Sequence, residues 1–103
     1  MDLDKILENE DYAMDAGCTA CVCFVTKDKI ITANAGDSRA VLSRGKKAVP
    51  LSEDHKPNDP KELARIQKSG HSVFMERVDG TLALSRALGD FGYKNSGTLK
   101  AEE

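Results

Sequence analysis

Residues 30–43 read Ile30-Ile31-Thr32-Ala33-Asn34-Ala35-Gly36-Asp37-Ser38-Arg39-Ala40-Val41-Leu42-Ser43, and no other stretch constrains the fold as much. Two short apolar, β-prone segments meet at a Gly-Asp-Ser bend, a strand–turn–strand pattern. Such a bend holds one carboxylate, Asp37, at the end of a sheet, where a cation or polar ligand can reach it. Local chemistry leaves Asp37 two roles. It can accept a backbone N–H and tie the bend, or it can offer oxygen to a hard cation.

The flanking pattern extends the sheet. Cys18 to Val25 is almost wholly apolar and reads as a strand buried on both faces. Alternation then places Cys21 and Cys23 on one face and Cys18 on the other. The three thiols read as core side chains: there is no second Cys pair, and His55 and His71 are distant in sequence. Lys27-Asp28-Lys29 is a polar turn, 30–35 a second strand and 38–43 a third. Arg44-Gly45-Lys46 reads as a hairpin turn and 47–51 as a fourth, short strand. This is a β-meander, which favours an antiparallel sheet.

The period then changes. Asn58 or Asp59 can cap a helix, Pro60 suits its first position and Glu62 its first turn. Leu63, Ile66 and Ala64 supply an apolar face, Lys68 sits in the last turn and Gly70 can follow the end, so the pattern predicts a helix over 59–69. Residues 72–75 and 76–78 read as extended, Asp79-Gly80 as a turn, 82–85 as extended or a short turn and 86–94 as loop. Leu3, Ile6 and Leu7 are spaced for a short helix at the start, and 95–103 reads as a frayed tail.

A chain of 103 residues is one domain at most. Its net charge of -2 gives no electrostatic reason to expect nucleic acid or an anionic membrane as partner. No apolar run approaches a membrane span, and the acidic Met1-Asp2-Leu3-Asp4 is unlike a signal peptide. The expected location is intracellular: the cytoplasm, with the nucleus as the alternative compartment.

Three strings carry a family resemblance: Ala35-Gly36-Asp37-Ser38-Arg39, Ser52-Glu53-Asp54-His55-Lys56-Pro57 and Leu82-Ala83-Leu84-Ser85-Arg86-Ala87-Leu88-Gly89-Asp90. In this order and spacing the chain from Gly17 to Lys94 resembles the metal-dependent protein serine/threonine phosphatases of type 2C. The resemblance implies an α+β fold, here part of an antiparallel β-sandwich flanked by helices, with 1–103 as the central part of the domain. It implies hydrolysis of phosphoserine and phosphothreonine in phosphoprotein substrates by water bridging two Mg²⁺ or Mn²⁺ ions. Asp37 matches an aspartate that helps bind an additional, weakly held cation. The family's Asp-Gly-His-Gly-Gly, Ala-Ser-Asp-Gly and later Asp-Asn strings do not occur here. This piece alone is therefore expected to be inactive. The competing reading is a truncated, catalytically inactive phosphatase-like binding module.

Residues 71–80 resemble the family's flap, a segment beside the catalytic centre that influences which phosphoprotein is accepted. The resemblance makes His71, Val73, Phe74, Met75 and Arg77 candidate substrate contacts. A Gly-Gly pair usually opens the flap, whereas this chain has Gly70-His71, which should stiffen its entry. The tryptophan that hormone-regulated plant members carry there is missing. No residue is assigned as catalytic. Arg39 and Arg86 could bind phosphate but read better as ion pairs that fix loops. Asp54 and His55 are adjacent and cannot orient each other as a triad would. Ser85 has no neighbouring base.

Overall fold

The structure, a computed structural model, describes residues 14–94. The helix expected near Leu3, Ile6 and Leu7 and the frayed tail expected at 95–103 lie outside those residues. In chain order the elements are β1 (Gly17–Cys18), β2 (Ala20–Val25), β3 (Ile30–Ala35), β4 (Val41–Arg44), β5 (Lys47–Pro50), α1 (Pro60–Lys68), β6 (Val73–Phe74), β7 (Arg77–Val78), β8 (Leu88–Gly89) and α2 (Phe91–Lys94). The strands form antiparallel pairs β1–β8, β2–β3, β4–β5 and β6–β7. Three local hairpins and one long-range pair thus replace the single meander expected from the pattern.

The break between β3 and β4 has a cause in the bend. Residues 38–40 were expected to begin the third strand, but their polar groups are committed elsewhere. Arg39 pairs with Asp54, Ser38 Oγ lies 2.7 Å from Thr19 Oγ1, and the Ala40 N–H donates to Ser52 Oγ at 2.9 Å. The strand starts only at Val41. It turns back through Gly45 (φ 56°) and Lys46 (φ 64°), the paired positive angles of a type I′ hairpin.

The β2–β3 hairpin corrects the reading of 18–25. Thr19 interrupts that segment, so Cys18 belongs to β1 and pairs opposite Leu88, while Cys21 and Cys23 share one face of β2. Val22, Phe24, Ile31 and the alanines Ala20, Ala33 and Ala35 line the other face. Neither face is buried: Phe24 is 65% and Val25 68% exposed, and Cys18 and Cys23 are exposed with Cys21 half-buried. Apolar residues on both faces call for a layer on each side, and the described residues place none over this hairpin. The thiols are therefore not core side chains here.

Helix α1 follows its sequence closely. The Asp59 carboxylate accepts the Lys61 N–H at 3.0 Å, Pro60 opens the helix and Gly70 follows its end at φ +90°. Ile66 is buried, as are Val78 of β7 and Phe91 of α2, and Pro57 is fully enclosed. Leu63 is half-buried and Ala64 exposed, so the apolar face is narrower than its spacing suggests.

Residues 86–94, expected as loop, contain β8 and α2. The β1–β8 pair joins residues far apart in sequence, and the Asp90 N–H donates to the Ala16 carbonyl at 2.9 Å. Gly89, at φ +79°, lies so close to the Ala16 carbonyl that a side chain there would collide with it.

Candidate functional site

The three strings meet around the Gly36 bend. The Gly36 N–H donates to His55 Nδ1 at 3.0 Å, and the His55 N–H donates to the Gly36 carbonyl at 2.9 Å. The Ser85 N–H in turn donates to the His55 carbonyl at 3.1 Å. Gly36 has φ +107°, and a β-carbon there would lie 2.5 Å from Thr19 Cγ2 and 3.0 Å from the Arg86 carbonyl oxygen. Only glycine fits both that angle and that gap. Asn34 Nδ2 completes the clamp by donating to the Gly36 and Glu53 carbonyls at 3.1 and 2.9 Å. His55 is thus a loop-fixing residue, as its sequence context indicated; its Nδ1 accepts, which leaves the ring proton on Nε2.

Asp37 projects from this clamp with its side chain 26% exposed, and Lys56 Nζ lies 2.5 Å from Oδ2. Arg39 forms a two-pronged pair with Asp54, both contacts 2.8 Å. The Arg39 hydrogen bond holds the Asp54 carboxyl below its usual range. Arg86 also makes an ion pair, with Glu62.

Glu62 is the site residue that sequence reasoning missed. Its carboxylate accepts from Arg86 Nε and Nη2, Arg65 Nη2 and Ser85 Oγ at 2.7–3.2 Å, and the residue is buried. Burial pushes the carboxyl up, but the hydrogen bonds from Arg86, Arg65 and Ser85 outweigh it and lower the pKa to about 2. Arg65 Nη2 also donates to the Ser85 carbonyl. One carboxylate therefore anchors α1 to the Ser85-Arg86 segment behind the bend. The Glu62–Arg65 spacing of three was visible as a helical ion pair; the long-range partners were not.

The flap-like segment is a hairpin, β6–β7, turned through Met75 (φ 50°) and Glu76 (φ 62°). Phe74 and Met75 are exposed at 65% and 78%, Val73 is half-buried and Arg77 reaches the Thr81 carbonyl. Lys56, Asn58, Met75, Glu76, Arg77 and Ala83 line a cleft of about 430 Å³. Lys56, the partner of Asp37, lines this cleft together with the flap residues Met75 and Arg77, and Asn58 Nδ2 donates to Glu76 Oε1 across it at 3.1 Å. His71, Val73 and Phe74 are not among its lining residues.

Lys56 occupies the Asp37 carboxylate, so a hard cation, which takes carboxylate oxygen, has to compete with that ammonium group for it. A two-cation centre takes several converging acids. Among the described residues, no three His, Cys, Asp or Glu side chains come together in that way. Asp37 is the single acidic side chain at the bend, and the described residues bring no further carboxylates to it as such a centre takes.

The comparisons with known proteins agree with this geometry. The family model for protein phosphatase 2C matches residues 1–102. Protein phosphatase ppm-1.G of Caenorhabditis elegans is 57% identical over 89 residues, which is 86% of this chain and 18% of that protein. Protein phosphatase 2C homolog 2 of Aspergillus fumigatus is 52% identical over 99 residues, 95% of this chain and 23% of that protein. A crystal structure of a phosphatase from Toxoplasma gondii superimposes with a TM-score of 0.62 at 35% identity, covering 99% of this chain and 34% of that one. The chain thus spans only 18–34% of the length of these relatives. With its three strings folded into one clamp and its sequence matched almost end to end, the chain belongs to the protein phosphatase 2C family.

Proposed function

We propose that this chain is the part of a protein serine/threonine phosphatase that carries the Asp37 bend and the flap. The whole protein hydrolyses phosphoserine and phosphothreonine in phosphoproteins, with Mg²⁺ or Mn²⁺ as cofactor. One observation carries the reading: the three family strings meet at the Gly36-Asp37 bend, and Lys56, the partner of the Asp37 carboxylate, lines a cleft together with flap residues. Divalent cations bound at such a centre supply charge neutralisation for the phosphoryl group and ease loss of a proton from the attacking water. The chain's own residues set the stage for this. Gly36 and His55 fix the direction of Asp37, Glu62 fixes the Ser85-Arg86 segment behind the bend, and Lys56 holds the carboxylate until a cation competes for it.

Manganese relaxation tests the assignment of Asp37 on the chain itself. Sub-stoichiometric Mn²⁺ should broaden the ¹H–¹⁵N signals of Gly36, Asp37, Ser38 and Lys56 first, and Asp37→Asn should abolish that pattern. Broadening centred on another acidic residue would remove Asp37 from the metal site.

A further inference from the structure

His71 stands where the flap is entered, and its ring is held at both nitrogens. Nδ1 lies 2.6 Å from Asp79 Oδ2 and Nε2 lies 2.9 Å from the Tyr93 carbonyl oxygen. Both partners can only accept. The carbonyl has no proton to give, and the Asp79 carboxyl is held below its usual range by the Ser72 N–H and by His71 itself, so it is ionised. A neutral imidazole has one N–H and can satisfy one of these acceptors. Satisfying both takes the imidazolium.

We propose that the doubly protonated ring of His71 is a positioning clasp that ties the β6–β7 flap hairpin to helix α2, and that loss of one ring proton opens it. The surroundings decide which bond is lost. From the hairpin side His71 faces Asp79, whose other oxygen is already engaged by the Ser72 N–H and Oγ. From α2 it faces the Tyr93 carbonyl and, at 6.0 Å between centroids, the Tyr93 phenol ring. Lys94 on the same helix is directed to the Ala87 carbonyl and the Phe91 ring. From α1, the Ile66 carbonyl accepts the His71 N–H; the basic residues of that helix's last turn are Arg65, committed to Glu62 and Ser85, and Lys68. The carboxylate is the stronger acceptor, because a hydrogen bond to a charged group exceeds one to a neutral carbonyl. The remaining proton therefore stays on Nδ1, the departing one goes to water, and the Nε2 lone pair is left facing the carbonyl oxygen. The two then repel, and the α2 side lets go while the hairpin keeps its Asp79 contact. The inference stands apart from the phosphatase assignment, since it rests on the ring's two acceptors alone.

The test uses the full chain. ¹⁵N-labelled His71 should show both ring nitrogens protonated near pH 5.5. After correction for intrinsic exchange, protection of the Tyr93 amide should fall about tenfold between pH 5.5 and 8, the span over which histidines change charge. His71→Asn can keep a donor toward Asp79 but cannot reach Tyr93, so its Tyr93 protection should be low and independent of pH. Tyr93→Phe keeps the carbonyl and should titrate like the wild type. A ring with one bare nitrogen at pH 5.5, a flat protection profile in the wild type, or the same decline in His71→Asn would each overturn the clasp.

Discussion

Replacing Glu62 by glutamine tests the anchoring of the site most sharply. The change keeps the shape and the Ser85 contact but leaves two guanidinium groups without a countercharge. A carboxyl lowered from 4.5 to about 2 corresponds to about 3 kcal/mol of stability at neutral pH. Arg86 is 35% exposed, so water offsets part of that and the expected loss is about 2 kcal/mol. With a urea slope of about 1 kcal/mol per molar for a chain this small, the midpoint should drop by roughly 2 M. The pH dependence follows from the sign of the shift. Above pH 4.5 both folded and unfolded chains carry the charge and the contribution is complete. As pH falls toward 2 the unfolded chain takes up the proton first and the contribution is lost. Urea unfolding followed by circular dichroism at pH 7, 4 and 2.5 should show this acid loss in the wild type and a flatter profile in Glu62→Gln. Arg39→Gln, which removes a pair whose guanidinium side chain is 58% exposed, should move the midpoint much less. Equal midpoints for wild type and Glu62→Gln at pH 7, or the same acid slope in both, would show that Glu62 is no anchor.

Two further outcomes follow from the packing. Gly36→Ala forces a side chain into a positive-φ position against Thr19 and the Arg86 carbonyl, and should cost on the order of 2 kcal/mol or more; an unchanged thermal midpoint would contradict the clamp. The uncovered apolar faces of β2–β3 should bind ANS and drive concentration-dependent association, both reduced by Phe24→Lys. A monomer with no dye enhancement would contradict that.

The elements legible in the sequence are those whose causes are local. Asp59, Pro60 and Gly70 mark α1 because caps and breakers act within a turn of their own position. Gly45 and the Asp79-Gly80 pair mark turns through their backbone freedom. The Asp37 bend stood out for the same reason, and family resemblance supplied the role that local chemistry left open. What escaped is non-local. The β1–β8 pair is two residues long on each side, too short for a periodic signal. Glu62 looked like an ordinary first-turn acid, since the groups that make it an anchor, Ser85 and Arg86, come more than twenty residues later. The thiols of β2 were misjudged because an apolar strand announces that it wants cover, not whether the chain provides it. His71 registered as a departure from the Gly-Gly pattern, but its two acceptors emerge only when the flap and α2 come together.

A graft asks whether these residues can serve in a working phosphatase. Residues 17–94 should replace the matching segment of a complete protein phosphatase 2C of measured activity, with turnover of a phosphothreonine peptide read against Mn²⁺ concentration. The chimera should fold and hydrolyse the peptide only with the divalent cation, with Asp37→Asn shifting the Mn²⁺ dependence to higher concentration; the 103-residue chain alone should give no turnover. A folded chimera without activity, or one whose Mn²⁺ dependence ignores Asp37→Asn, would contradict it.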